Sequence, residues 1–278
     1  MTTVTIPAIP ARTRAVPPAL RRPGLPGALR SELTKILSVR STYWTLLALA
    51  LVSIGWSVLY CEGTVSHSAG RAAVNAAFAS LMGQVALGEL VIVVLGALVI
   101  TSEYSTGMIR TSLAVVPRRG VLYAAKAMAF AAVAFTVSLV TSFVDFFVGQ
   151  SILASKHLSI TLAQPGVLRA VLLSAAMVTV FGLLAYGTGA LIRHTAGAIT
   201  SILGVIFLIP LLAQALPPPW YQDLVRWLPG GRALSPIASS ASSVSPNLFS
   251  AWGEFAAFSS YAVVLFALGA WIFIRHDA

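Results

Sequence analysis

The residues best able to do chemistry lie close together in Glu103-Tyr104-Ser105-Thr106-Gly107-Met108-Ile109-Arg110-Thr111-Ser112-Leu113-Ala114-Val115-Val116-Pro117-Arg118-Arg119. One carboxylate and three guanidiniums supply charge pairing rather than bond making. Glu103 closes a hydrophobic helix, Gly107 lets the backbone turn, and Pro117 stops the segment before two arginines. Met108, Ile109, Leu113 and Val116 form an apolar stripe. The pattern predicts a short amphipathic helix held under a membrane, joined rigidly to two spans, with a charged end open to a cytoplasmic partner. A solvated loop carrying arginines is the plainer reading, but such a loop would not need the stripe.

Other polar residues sit where lipid is expected. An ionised side chain at mid-bilayer costs about 2.5–3.5 kcal/mol on insertion scales, so intramembrane acids are functional candidates. Glu89 lies 14 residues before Glu103, about 21 Å along a helix axis. With Gln84 it is a candidate for a pathway or dimer interface, against the alternative of a satisfied packing residue. Asp145 falls nearer the outer end of its span and reads as a solvated acid. Cys61 is the only cysteine and the four histidines are scattered, so neither an internal disulfide nor a metal site is expected. Tyr60 occupies the position before Cys61 that a lipoprotein box reserves for a small residue, which argues against lipidation there. No nucleophile and base share a membrane depth, so an intramembrane enzyme is not expected.

These residues need a bilayer around them. The 278-residue chain is 58% hydrophobic and 9% charged, with mean hydropathy +0.88, far from the roughly 25% charged content of a soluble domain. A net charge of +10 fits membrane topology rather than nucleic acid, because no soluble face carries the lysines and arginines. Six runs are apolar over the ~20 residues a span requires: Tyr43–Tyr60, Phe78–Thr101, Val121–Val148, Val167–Ile192, Ala196–Leu216 and Phe255–Ile274. Gly83, Gly88 and Gly96 on the second run, and Gly182, Gly187 and Gly189 beside Tyr186 on the fourth, suit close helix approach. The expected fold is an all-α integral membrane domain of six transmembrane helices, with an N-terminal amphipathic interfacial helix.

Residues 1–26 are rich in proline and arginine and read as a disordered basic cytoplasmic tail. Residues 27–278 form a single membrane domain. Leu29, Leu33, Ile36 and Leu37 recur at helical spacing, with Arg30, Glu32, Lys35 and Ser38 on other faces. This segment, ending at Arg40, predicts a helix lying in the interface before the first span. About forty polar residues precede the first apolar run, so that run reads as a retained span, not a cleaved signal. Orientation follows the basic residues: one alternating set of connections holds thirteen and the other five, together all 18 Lys and Arg. The richer side is cytoplasmic and includes both termini. Pro217–Glu254 then lies outside, where Trp220, Tyr221, Trp227 and Trp252 suit the headgroup region, and Tyr221–Leu228 could form a short surface helix. Arg193 and His194 cap the tight inner turn before the fifth span.

With those residues in view, the chain resembles the permease subunits of ABC-2 type ATP-binding-cassette transporters. Their cytoplasmic segment typically runs Glu, a few residues, Gly-Thr-Ile-Arg, then Leu, Pro and a basic residue. Glu103, Gly107, Ile109, Arg110, Leu113, Pro117 and Arg119 match; Met108 departs from the usual Thr. The likeness extends to the interfacial helix, the six-span layout, the long outer loop and the C-terminal Arg275-His276-Asp277-Ala278. It implies a coupling helix at Glu103–Arg119, a second permease copy forming a homodimer, and a separate ABC ATPase subunit that carries ATP and magnesium. This chain is then expected to bind no cofactor itself, and it has no G-x-x-x-x-G-K-[ST] loop. In that setting Glu103 would pair locally to fix the bend, while Arg110, Arg118 and Arg119 would meet acidic ATPase surface or lipid phosphate. The implied activity is ATP-driven outward transport of a hydrophobic or amphipathic compound across a bacterial plasma membrane. Two alternatives stay open, an ion-coupled secondary transporter and a non-transporting sensor or anchor subunit.

Overall fold

The computed structural model describes residues 24–67, 76–217, 220–221 and 251–275. Among them the chain is helical. Its elements are α1 (Leu25–Ser38), α2 (Arg40–His67), α3 (Ala76–Gly83), a π turn (Gln84–Gly88), α4 (Glu89–Ser105), α5 (Met108–Val115), α6 (Arg119–Leu153), α7 (Val167–Ile192), α8 (Thr195–Leu203), a second π turn (Gly204–Leu208), α9 (Ile209–Ala213) and α10 (Ala251–Arg275). Six of the resulting rods are long and apolar enough to cross a membrane. This is a multi-pass, all-helical membrane protein. In hydrocarbon every backbone N–H and C=O must be bonded within its own segment, and a continuous helix does that.

The fourth span coincides with the run read from the sequence, Val167–Ile192. Others are longer, because a helix does not stop where apolar residues end. The first extends to Arg40–His67 and the third to Arg119–Leu153. The interfacial helix begins earlier than expected, at Leu25 with Pro26 in its first turn, where the missing proline N–H costs nothing. It also ends earlier. Val39 is extended, with φ −83° and ψ 118°, so Arg40 opens the first span rather than closing the interfacial helix. The rest of the N-terminal tail, Trp227 and Tyr221–Leu228 beyond its first residue, and the C-terminal His276–Ala278 lie outside the described residues.

At the centre stands α7, packed by α4, α6 and α10. Small residues allow the contact: a Cβ built on Gly96 of α4 would come within 2.2 Å of the Gly182 carbonyl oxygen, so these two backbones touch. On the far side α2 packs on α6 and α3, and α1 lies along α6. The first, fifth and sixth spans keep broad apolar faces outward, among them Leu51, Leu59, Leu211, Leu212, Val263 and Val264. The fifth span is interrupted by Pro210, which cannot donate to the ladder and presses on the carbonyl four residues back. The π turn just before it widens the helix there.

Candidate functional site

The turn out of the second span depends on Gly107, which adopts φ +70°, a left-handed conformation that a Cβ would strain. Thr106 and Ser105 hydroxyls both donate to the Ser102 carbonyl, closing the end of α4 before α5 begins. From Met108 the chain makes two turns of helix. Ile109, Ser112 and Val116 face inward and Leu113 is half-buried, a stripe at i, i+3, i+4 and i+7. Met108, placed on that stripe from the sequence, is instead 48% exposed. Ser112 takes the buried position because its hydroxyl has a charged donor to meet.

That donor belongs to a four-charge cluster. Lys126 Nζ on α6 lies 2.5 Å from Glu32 Oε2 on α1 and 2.7 Å from Glu103 Oε1 in the last turn of α4. Lys35 Nζ on α1 lies 2.6 Å from Glu32 Oε1 and 3.3 Å from Glu103 Oε1, and it donates to Ser112 Oγ at 3.1 Å. Two carboxylates and two ammoniums cancel. Glu32 is 1% exposed, Lys126 3% and Glu103 5%, so none of these three charges could be left single without a large desolvation cost. Four elements, α1, α4, α5 and α6, are thereby tied at one point. Burial tends to lower the Lys35 pKa and is the largest single influence. The hydrogen bond from Lys35 to Glu32 and the charges of Glu103 and Glu32 outweigh it, so the ammonium is held above its usual range.

Beneath the cluster an aromatic layer supports it. Tyr186 donates to the Tyr123 carbonyl at 3.0 Å, and Tyr123 to the Phe266 carbonyl at 3.2 Å. Arg193 adopts φ +58° and sets its guanidinium 5.4 Å from the Tyr104 ring centroid, a cation–π contact. His194 caps α8, its Nδ1 accepting from the Gly197 N–H at 3.2 Å, the turn role read from the sequence.

The sequence-derived candidates fall into three groups. Glu103 pairs as expected, but over long range with Lys126 and Lys35 instead of locally, and it is buried within the cluster. Arg110, Pro117 and Arg118 are exposed around α5, and Arg119 is half-buried at the start of α6. On α1, Ile36 is buried, Leu29 and Leu33 are half-buried and Leu37 is 48% exposed. The apolar stripe is therefore not the whole inner face, because Glu32, read as lying off that stripe, is buried against Lys126. Glu32, Ser112 and Lys126 are the residues that sequence reasoning missed. The available signal was Lys126 itself, a lysine among alanines inside an apolar helix, which needs an acid.

A second polar layer lies farther along the bundle. Gln84 Nε2 donates to the Ser138 carbonyl at 2.9 Å, its Oε1 accepts from Ser142 at 2.9 Å, and Ser142 meets Ser174 Oγ at 2.9 Å. Glu89 is buried beyond the π turn, its Oε2 without a hydrogen-bond partner, and it does not bond to Gln84 among the described residues. Asp145 is not the solvated acid expected. It is 0% exposed, because α2 and α3 both pack over that part of α6. No protein family matches the sequence, and no curated protein does.

Proposed function

We propose that this chain is the permease subunit of an ABC-2 type transporter, with α5 as the helix that receives force from a separate ATPase. The observation that supports it is the mounting of α5. Its inner face is anchored through Ser112 to a buried ionic cluster joining α1, α4 and α6, while Met108, Arg110, Val115 and Arg118 stand exposed. A partner pressing on that exposed face would move three other helices, because buried ion pairs resist separation.

In this reading two copies pair through the open apolar faces of the outer spans and enclose the pathway. ATP and magnesium stay on the ATPase. Both termini face the cytoplasm of a bacterium, and a hydrophobic or amphipathic compound moves outward. The absence of any acid on α7, α8 and α9 suits an apolar cargo.

The test is co-purification in detergent with the ATPase encoded beside it. Retention of the ATPase by wild type, with at least tenfold loss in an Arg110→Glu/Arg118→Glu variant that melts at the wild-type temperature, is the expected outcome. An ATPase that never associates, or that binds the charge-reversed variant equally well, sinks the coupling role.

A further inference from the structure

Ser138, Ser142, Asp145 and Gly149 recur on α6 at i, i+4, i+7 and i+11, a single stripe facing the neighbouring helices. Three of the four are polar, and all are buried. Asp145 Oδ2 accepts a 2.5 Å hydrogen bond from Ser53 Oγ on α2. Its other oxygen, Oδ1, is buried with no partner, as is Ser138 Oγ two steps down the stripe.

The site is sealed by close backbone contact. A Cβ on Gly83 would come within 1.9 Å of the Ser53 carbonyl oxygen and 2.5 Å of Ser57 Oγ, and Ser57 Oγ accepts from the Gly83 N–H at 3.1 Å. A Cβ on Gly149 would come within 2.5 Å of Ser80 Cβ and 3.1 Å of Cys61 Sγ. Helices α2, α3 and α6 therefore meet around the carboxyl with no room for a bulky ligand. The elements packed on α6 carry other titratable side chains, among them Tyr60, Cys61 and Glu62 on α2, Glu89 and Glu103 on α4, and Arg169 and Tyr186 on α7. None of them, and no lysine or histidine, is bonded to Asp145 among the described residues.

A buried carboxylate held this way meets hydroxyls but no cation among the described residues, and burial makes its ionised form expensive. A sodium ion would need several oxygens converging on it, whereas the stripe offers one free carboxyl oxygen. A proton needs only that oxygen. We propose that Asp145 and Ser53 form a reversible proton-binding site within the bundle. Hydronium gives its proton to the carboxylate when α2 and α6 part enough to admit water. A neutral acid results, with the proton on Oδ1 and Ser53 donating to Oδ2, and one water is released. The site does not depend on ATPase docking.

The experiment is infrared spectroscopy of the purified chain alone, titrated from mildly acidic to mildly alkaline buffer. Wild type is expected to show a protonated-carboxyl band that gives way to carboxylate as pH rises. Asp145→Asn, which keeps an acceptor for Ser53, should lack that band. Glu89→Gln should keep it, and Ser53→Ala should keep it at a shifted frequency. Carboxylate absorption at every pH overturns the proposal. So does an Asp145 band that never titrates, which would mark a permanent packing acid, or one displaced by sodium rather than by base.

Discussion

Lys126 and Asp145 sit on the same helix, both buried, and their surroundings differ in one respect. Around Lys126 the chain supplies its own counter-charges, Glu32 and Glu103, with Lys35 completing a neutral set. Around Asp145 the described residues supply hydroxyls and no bonded cation. A cluster balanced internally has no use for solvent ions and serves as a joint. A carboxyl with no cation beside it among the described residues is where the proposed proton would bind. Burial alone does not assign a role; the local sum of charge does.

Breaking the balanced side should cost most. Lys126→Met leaves two buried carboxylates short of a cation and should destabilise the bundle by about 3–5 kcal/mol, read as a fall in melting temperature in detergent. Adding Glu32→Gln and Glu103→Gln to it should recover most of that loss. A Lys126→Met protein as stable as wild type would remove the distinction between the two regions.

The seal of the unbalanced side comes next. Gly83→Ala forces a methyl against the Ser53 carbonyl and should cost about 1–3 kcal/mol, while also weakening the Ser53–Asp145 bond. Asp145→Asn, by contrast, keeps an acceptor and should stay within about 1 kcal/mol of wild type in thermal unfolding. An Asp145→Asn protein as unstable as Lys126→Met would show that both regions are joints.

The smallest effect belongs to Lys35, whose side chain is 37% exposed, so screening limits its pairs to about 1 kcal/mol or less. Its folded-state pKa is raised. The stability it adds is thus complete below the ordinary lysine value of about 10.4 and is lost as pH climbs through the raised value. Melting temperature should therefore be insensitive to Lys35→Met at high alkalinity and slightly lowered by it near neutrality.

The spans were legible because lipid demands long apolar runs, and Val167–Ile192 could be read to the residue. Span ends were less so, since polar Arg40 and Glu62 continue a helix as well as leucine does once it is nucleated. The bend at Gly107 was legible from local conformational preference. The cluster was not, because Lys126 reaches partners 94 and 23 residues away, and in sequence it reads as one more cytoplasmic charge. Asp145 misled for a related reason. Its burial depends on α2 and α3 packing over that part of the 35-residue α6, a contact that hydropathy along one helix does not report.

The unbroken course of α6 from Arg119 to Leu153 makes it a shaft. Lys126 and Asp145 are 19 residues apart, which places them about 28 Å apart along the axis and about 100° apart around it. Torque applied at the ionic end cannot be absorbed by a hinge on the way, so any twist that draws Asp145 away from Ser53 also swings Lys126 against Glu32 and Glu103. Loading at one end and tension at the other are two readings of a single angle.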